Sequence, residues 1–240
     1  MKLPLGPLCV VAGSLLSSSA FAHAAVAGAT PPYAGATFEA DFTVSHGCDG
    51  ADTYKMRVQI PEGVTGVRPV DSVFGKAEVE KDASGKVTAV TWTRPAPGEV
   101  KEADTHFFHL GLRMKLPAKP FTTVFFPTTQ TCRTPAGVET VVAWSSTAGG
   151  EHSHDGDAGT QPTENPAPSL YLLPSRLPGW NQYTVEEHVH DLTVFKDALI
   201  VWSGTQAYSF NPVTQALIEK EQGVTALTQI HPGTVIWVKY

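Results

Sequence analysis

Nine histidines and three cysteines carry most of the chemistry open to this 240-residue chain. His23 follows Ala22 in the run Ala20-Phe21-Ala22, a small-x-small pattern of the kind that precedes a leader cut. A chain that begins at His23 offers an amine and an imidazole nitrogen on one residue. The two close a ring on one ion, and Cu(II) favours such nitrogen donors in a tetragonal plane. The amine titrates at about 8 in model peptides, so a tightly held cation displaces its proton readily. Cutting after Ala24, the end of Ala22-His23-Ala24, would instead discard His23. His152 and His154 lie in Glu151-His152-Ser153-His154-Asp155, a cluster that could pick up metal ions or serve as a solvated polar loop. His188 and His190 are two residues apart. On a strand they share a face with Glu186, which makes them a candidate second metal site or a solvated strand face. His106 and His109 have odd spacing on a predicted strand, face opposite sides and are read as structural. His46 reads as a turn residue with a lesser claim as a ligand.

The cysteines depend on the same cut. Lys2, the apolar stretch Leu3 to Leu16 and the small residues up to Ala22 have the layout of a secretory signal peptide, with a predicted cut after Ala22. The apolar stretch is too short to span a bilayer stably. No later stretch is apolar enough either, so the expected mature chain is exported, periplasmic or otherwise, with no membrane span. Cys9 leaves with the leader, and Cys48 and Cys132 remain as an even pair expected to bridge in an oxidising compartment. That bridge closes a loop of about 84 residues, worth roughly 4 kcal/mol in the chain-entropy model. No CxxC spacing supports a thiolate metal site.

The elements that must position these groups read as strands. The chain is 42% hydrophobic and 17% charged, with 21 Gly and 19 Pro, which fits short strands and turns better than a helical bundle. The net charge of -6 leaves no basic excess for phosphates, so nucleic acid is not an expected partner. Residues 23–36 are rich in Gly, Ala and Pro and read as a flexible leader. Phe38, Ala40, Phe42 and Val44 then alternate with polar residues as a half-buried strand. Further strands are expected over Tyr54 to Ile60, Val64 to Val70, Thr105 to Met114, Phe121 to Thr128 and Val138 to Trp144. Glu78 to Glu80 and Val87 to Thr93 flank a hairpin turn at Asp82 to Gly85. Some seven strands with a bridging cysteine pair predict an immunoglobulin-like sandwich. Residues 145–168 read as a mobile linker. Beyond it, a small α+β appendage is expected, with a strand or docked segment over Tyr183 to Val189. Asp191 to Val201 is ambiguous, Asn211 to Glu221 is helical and stopped by Gly223, and Gly233 to Tyr240 is a strand.

The run FEADFTVSHGCDGADTYKMRVQIPEGV from Phe38, followed by VTWTR, FFHLGLRMKLP, TVFFPTTQTC, VVAW and PAPSLYLLP, resembles the YcnI-like periplasmic copper-binding domain. The resemblance covers residues 23–174, leaving a leader at 1–22 and a C-terminal unit at 175–240. It implies an immunoglobulin or fibronectin-type β-sandwich, export, and Cu(II) held at the mature N-terminal His. Carried over by position, His23 matches that ligand and Trp144 matches the tryptophan packed over the metal. A tryptophan face near a cation is reasonable through its quadrupole. In the family an acidic residue on the first strand completes the ligand set. Glu39 is the nearest candidate, one position off, with Asp41 on the same face as the alternative. The family opens with His-Val-Thr where this chain has His23-Ala24-Ala25, and the family's Gly-Trp stands here as Val73-Phe74.

These readings lead to an exported Cu(II) chaperone or buffer, with the copper ion and other envelope copper-handling proteins as partners. Two methionines, Met56 and Met114, survive cleavage, too few for a methionine relay of Cu(I). The alternatives are a copper-dependent oxidative enzyme with an N-terminal His, which needs a second His near the first, and a non-metal envelope interaction module. No G-x-S-x-G or HExxH motif supports a hydrolase.

Overall fold

The computed structural model describes residues 24–44, 46–48, 50–95, 106–147 and 165–240. The predicted leader, His23, His152 and His154 lie outside them. Among the described residues, eleven strands build the larger unit: β1 (Ala24–Ala27), β2 (Thr37–Val44), β3 (Asp52–Gln59), β4 (Thr65–Pro69), β5 (Lys76–Lys81), β6 (Val87–Thr93), β7 (His109–Lys115), β8 (Thr123–Phe125), β9 (Thr128–Arg133), β10 (Glu139–Trp144) and β11 (Ser169–Tyr171). One sheet runs β1-β2-β7-β4 and a second runs β10-β9-β3-β6-β5, while β8 and β11 form a separate pair. The alternation in β2 is the reason it sits where it does. Phe38, Ala40 and Phe42 are buried while Thr37 and Glu39 are exposed. They meet Met56, Val58, Val90, Trp92, Leu110, Leu112 and Met114 in one core between the sheets. At the β5–β6 turn, Asp82 Oδ1 accepts from the backbone N–H groups of Ser84 (2.8 Å) and Lys86 (3.0 Å). Gly85 then takes the left-handed φ of 83° that closes the hairpin.

Cys48 and Cys132 are joined, with 5.7 Å between their Cα atoms. The bridge ties the turn between β2 and β3 to β9.

Three expectations change in this unit. The expected flexible leader contains a strand, β1, because Ala24 to Ala27 find a paired edge on β2. The strand expected from Thr105 begins at His109, so His106 precedes β7 and the two histidines do not share a strand. The strand expected over Phe121 to Thr128 is two, β8 and β9, broken at Pro127, whose nitrogen carries no proton for a ladder.

The C-terminal unit is a five-stranded sheet with one short helix. Its strands are β12 (Trp180–Thr184), β13 (Ile200–Ser203), β14 (Gln206–Tyr208), β15 (Thr225–Ala226) and β16 (Val235–Lys239), in the order β12-β16-β13-β14-β15. A 3-10 turn covers Leu192–Phe195, and α1 covers Pro212–Ile218. Asn211 caps α1, its side chain accepting from the N–H groups of Val213 (2.9 Å) and Thr214 (3.4 Å). The unit shares a core with the sandwich. Phe121, fully buried, packs 5.6 Å from Phe195 and 5.7 Å from Tyr183 between ring centroids. It does so at φ 60°, a conformation L side chains adopt at a cost of about 1–3 kcal/mol. Glu187 adds a polar clasp, its carboxylate accepting from the N–H and hydroxyl of Thr123, both at 2.8 Å.

Candidate metal centre

β1 is an edge strand fixed by register, with Ala24 opposite Val44 and Ala27 opposite Asp41. Ala24 is only 6% exposed and packs with Trp144, Val44 and Val142. An alanine can be buried this way because it brings no bulk, so the start of β1 closes directly on the indole. Trp144 ends β10, opposite Thr128 of β9, and is itself 4% exposed.

A buried amide holds that indole. Trp144 Nε1 donates to Gln130 Oε1 at 3.2 Å. Gln130 Nε2 donates to the His46 carbonyl at 3.0 Å and to Thr53 Oγ1 at 2.9 Å. An indole N–H can only donate, so the Gln130 oxygen must face it and the amide orientation is settled by chemistry. Gln130 thereby links β10, β3 and the turn after β2. His46 Nδ1 lies 2.6 Å from the Gly47 carbonyl. A carbonyl only accepts, so Nδ1 carries the proton and Nε2 is the nitrogen with ligand character in the neutral ring.

His46, His106, Val44, Asp52 and Thr53 line a recess of about 20 Å³, roughly the room one water needs. Asp52 is engaged by an ion pair with Arg94, both side chains nearly buried. The Arg94 guanidinium lies over the rings of Phe108 (4.8 Å) and Phe74 (5.6 Å). A far larger cleft, about 690 Å³, lies between β4 and the β5–β6 hairpin. Those are the edges of the two sheets farthest from β1 and β10.

The structure separates residues that the sequence grouped. Glu39 is exposed, stands opposite Arg113 of β7, and lies five residues before Val44 on β2. At about 3.3 Å per residue that is roughly 16 Å from the Ala24–Val44 pair, too far for Glu39 to share an ion with a residue bonded to Ala24. The strand face was not the deciding question; distance along the strand is. Asp41 lies opposite Ala27 and is 3.1 Å from His109 Nδ1. Trp144 packs beside Ala24 at the start of β1. His188 and His190 are in the C-terminal unit, with ring centroids 3.8 Å apart. Reading the sequence missed Gln130, whose type and place in a strand give no local signal, and the nearness of His46 to the start of β1 emerges only with the β1–β2 register.

A family model described as a domain of unknown function, DUF1775, matches residues 23–172. The chain belongs to this family. It is the domain family of YcnI-like proteins. A solved structure, an uncharacterized protein from Nocardia farcinica with an immunoglobulin-like fold, is 27% identical with a TM-score of 0.50. The match covers 62% of this chain and 97% of that one. The major pilin subunit of Bacillus cereus is 7% identical at a TM-score of 0.35, over 91% of this chain and 55% of that one. A cohesin module from a Clostridium perfringens glycoside hydrolase is 12% identical at 0.29, over 64% of this chain and 98% of that one. Neither of the last two carries an argument. No curated protein matches the sequence. The Nocardia farcinica structure agrees with the mainly β, immunoglobulin-like architecture seen here, to which this chain adds a small α+β unit. Among the described residues no helix is long and apolar enough to cross a membrane.

Proposed function

We propose that this chain is an exported Cu(II)-binding protein, a copper chaperone or buffer of the cell envelope, that holds its cargo through the amine and imidazole of a mature N-terminal His23. The observation that carries this reading is the burial of Ala24 against Trp144. A residue bonded to Ala24 has its Cα about 3.8 Å away. The start of β1 therefore lies beside an indole already locked by Gln130.

The donor inventory supports Cu(II) over Cu(I). Both retained cysteines are spent in the disulfide. Met56 and Met114 are each 1% exposed, inside the core. Soft sulfur, which Cu(I) prefers, is withheld, and imidazole and amine nitrogen suit Cu(II). His46 replaces Glu39 as the further ligand in this proposal, because it follows Val44 at the correct end of β2. The disulfide fits an oxidising compartment and so supports export.

A second reading, copper-dependent oxidative catalysis, draws on one observation, that His46 and His106 line the same recess and could supply a second imidazole. Ascorbate-driven peroxide formation by the copper-loaded chain would favour it; no turnover supports the carrier.

The test of the proposal uses the chain beginning at His23 with one equivalent of Cu(II). Its EPR spectrum is expected to show nitrogen coupling. The metal is expected to quench tryptophan emission, and Trp144→Phe is expected to bind copper while losing most of that quenching. Quenching that is unchanged in Trp144→Phe would place the ion elsewhere.

A further inference from the structure

Val189 and Ile230 form an isolated antiparallel bridge in the C-terminal unit, well away from Trp144 in sequence and sheet. They exchange both backbone hydrogen bonds, at 2.8 and 3.0 Å. Both side chains are buried in the C-terminal core, at 3% and 1% exposure. Side chains alternate across a ladder, so the flanking residues point the other way. On that outer face His188 stands opposite His231, and His190 stands opposite Gln229. The rings confirm the pairing: centroids of His188 and His231 are 4.4 Å apart, and those of His188 and His190 are 3.8 Å apart. Gln229 Nε2 lies 3.3 Å from His231 Nε2 and, as an amide N–H, donates to it.

We infer that His188, His190 and His231 form a second metal site, for a divalent transition ion that takes nitrogen donors, Zn(II) or Cu(II). Two histidines flanking Val189, with a third flanking Ile230 across the bridge, place three imidazoles on one small area. Opposite Cβ atoms stand about 4.5–5.5 Å apart and alternate ones on a strand about 6.5–7 Å. Imidazole nitrogens bind zinc at about 2.0–2.1 Å, a reach these separations allow, and three histidines with an open fourth position are an established zinc donor set. As the rings stand, no group of three or more His, Cys, Asp and Glu among the described residues is set to hold a metal ion. Here the rings of His188 and His231 stack at 24° instead of aiming nitrogens at one point. Rotation about two side-chain bonds converts stacking into convergence. It is open to His190 and His231, which are exposed. The Gln229 amide, now on His231 Nε2, would yield that lone pair to the ion. This site uses nothing of the amino terminus and stands or falls separately from the copper reading.

The test uses the exported chain with one extra residue ahead of His23, which blocks the amino-terminal chelate. Titration with Zn(II) is expected to show one tight equivalent, and the ring signals of His188, His190 and His231 are expected to shift together in NMR spectra. His190→Gln and His231→Gln are each expected to weaken Zn(II) binding at least tenfold. Both positions are exposed, and an unchanged metal-free thermal midpoint confirms that the variants fold. Absence of zinc binding by the parent chain, ring signals that do not move, or equal affinity in either variant would overturn the assignment. Equal affinity with shifts at His152 and His154 would move the ion to that cluster.

Discussion

Trp144 depends on Gln130 for its orientation, and Gln130 depends on donors and acceptors from three separate parts of the chain. Buried polar networks of this kind are costly to leave half satisfied, which is why one amide can fix a whole corner. A neighbouring charge pair matters as much. Arg94 neutralises Asp52 inside the fold and lies over the rings of Phe74 and Phe108. Replacing it with methionine keeps most of the volume but takes the guanidinium from a buried carboxylate. Arg94→Met is expected to lose about 3–5 kcal/mol of stability, read by urea unfolding; a loss under 1 kcal/mol would mean that Asp52 is well compensated without it. None of this network was legible in the sequence. Asp52, Arg94 and Gln130 each fall just outside the strands that the sequence pattern marks, and only the fold brings them together. The disulfide was legible because parity decides it: removing Cys9 with a leader leaves Cys48 and Cys132 as one pair.

At the scale of elements, what could be read is what alternates. β2 shows its buried face in Phe38, Ala40 and Phe42, and α1 shows its start in Asn211-Pro212. β1 could not be read, because Ala24-Ala25-Val26-Ala27 has neither alternation nor bulk. Its existence rests on β2 offering a free ladder edge. That short docking is the element on which the copper proposal turns. Ala24→Leu adds three carbons where Trp144, Val44 and Val142 already close in. Overpacking of this kind costs about 1–3 kcal/mol, which a four-residue strand cannot absorb while staying paired. The expected result is a Cu(II) affinity lower by about tenfold, which corresponds to 1.4 kcal/mol, with little change in the unfolding midpoint of the sandwich. Unchanged affinity would show that β1 docking does not position the ligands. The third histidine of the C-terminal cluster was hidden for a similar reason. His231 is far from His188 in sequence, and a bridge of one residue pair, Val189 with Ile230, is what joins them.

At the scale of the molecule, the sandwich and the C-terminal unit are packed through buried side chains. Phe121 belongs to the chain of one and the core of the other. Tyr171 and Tyr240 belong to the same packed region. Burial pushes both phenols well above their ordinary range, with Glu187 adding to the effect at Tyr171. A raised folded value means that the neutral form is favoured in the fold. Stability from these groups is complete below an ordinary phenol's value of about 10 and falls as pH rises above it. Alkaline titration is therefore expected to loosen the C-terminal unit, with phenolate absorbance for these two tyrosines appearing only as the unit unfolds. Phenolate signal from all six tyrosines near pH 10 with the fold intact would contradict the burial argument.

The central claim is that the mature amino terminus holds Cu(II) beside Trp144. Its most direct test is a calorimetric Cu(II) titration of two preparations, one starting at His23 and one with a single extra residue before it. The account predicts one tight equivalent for the first and loss of that equivalent for the second, because the terminal amine is then consumed in a peptide bond. Equal tight binding by both, or none by the chain starting at His23, would contradict it.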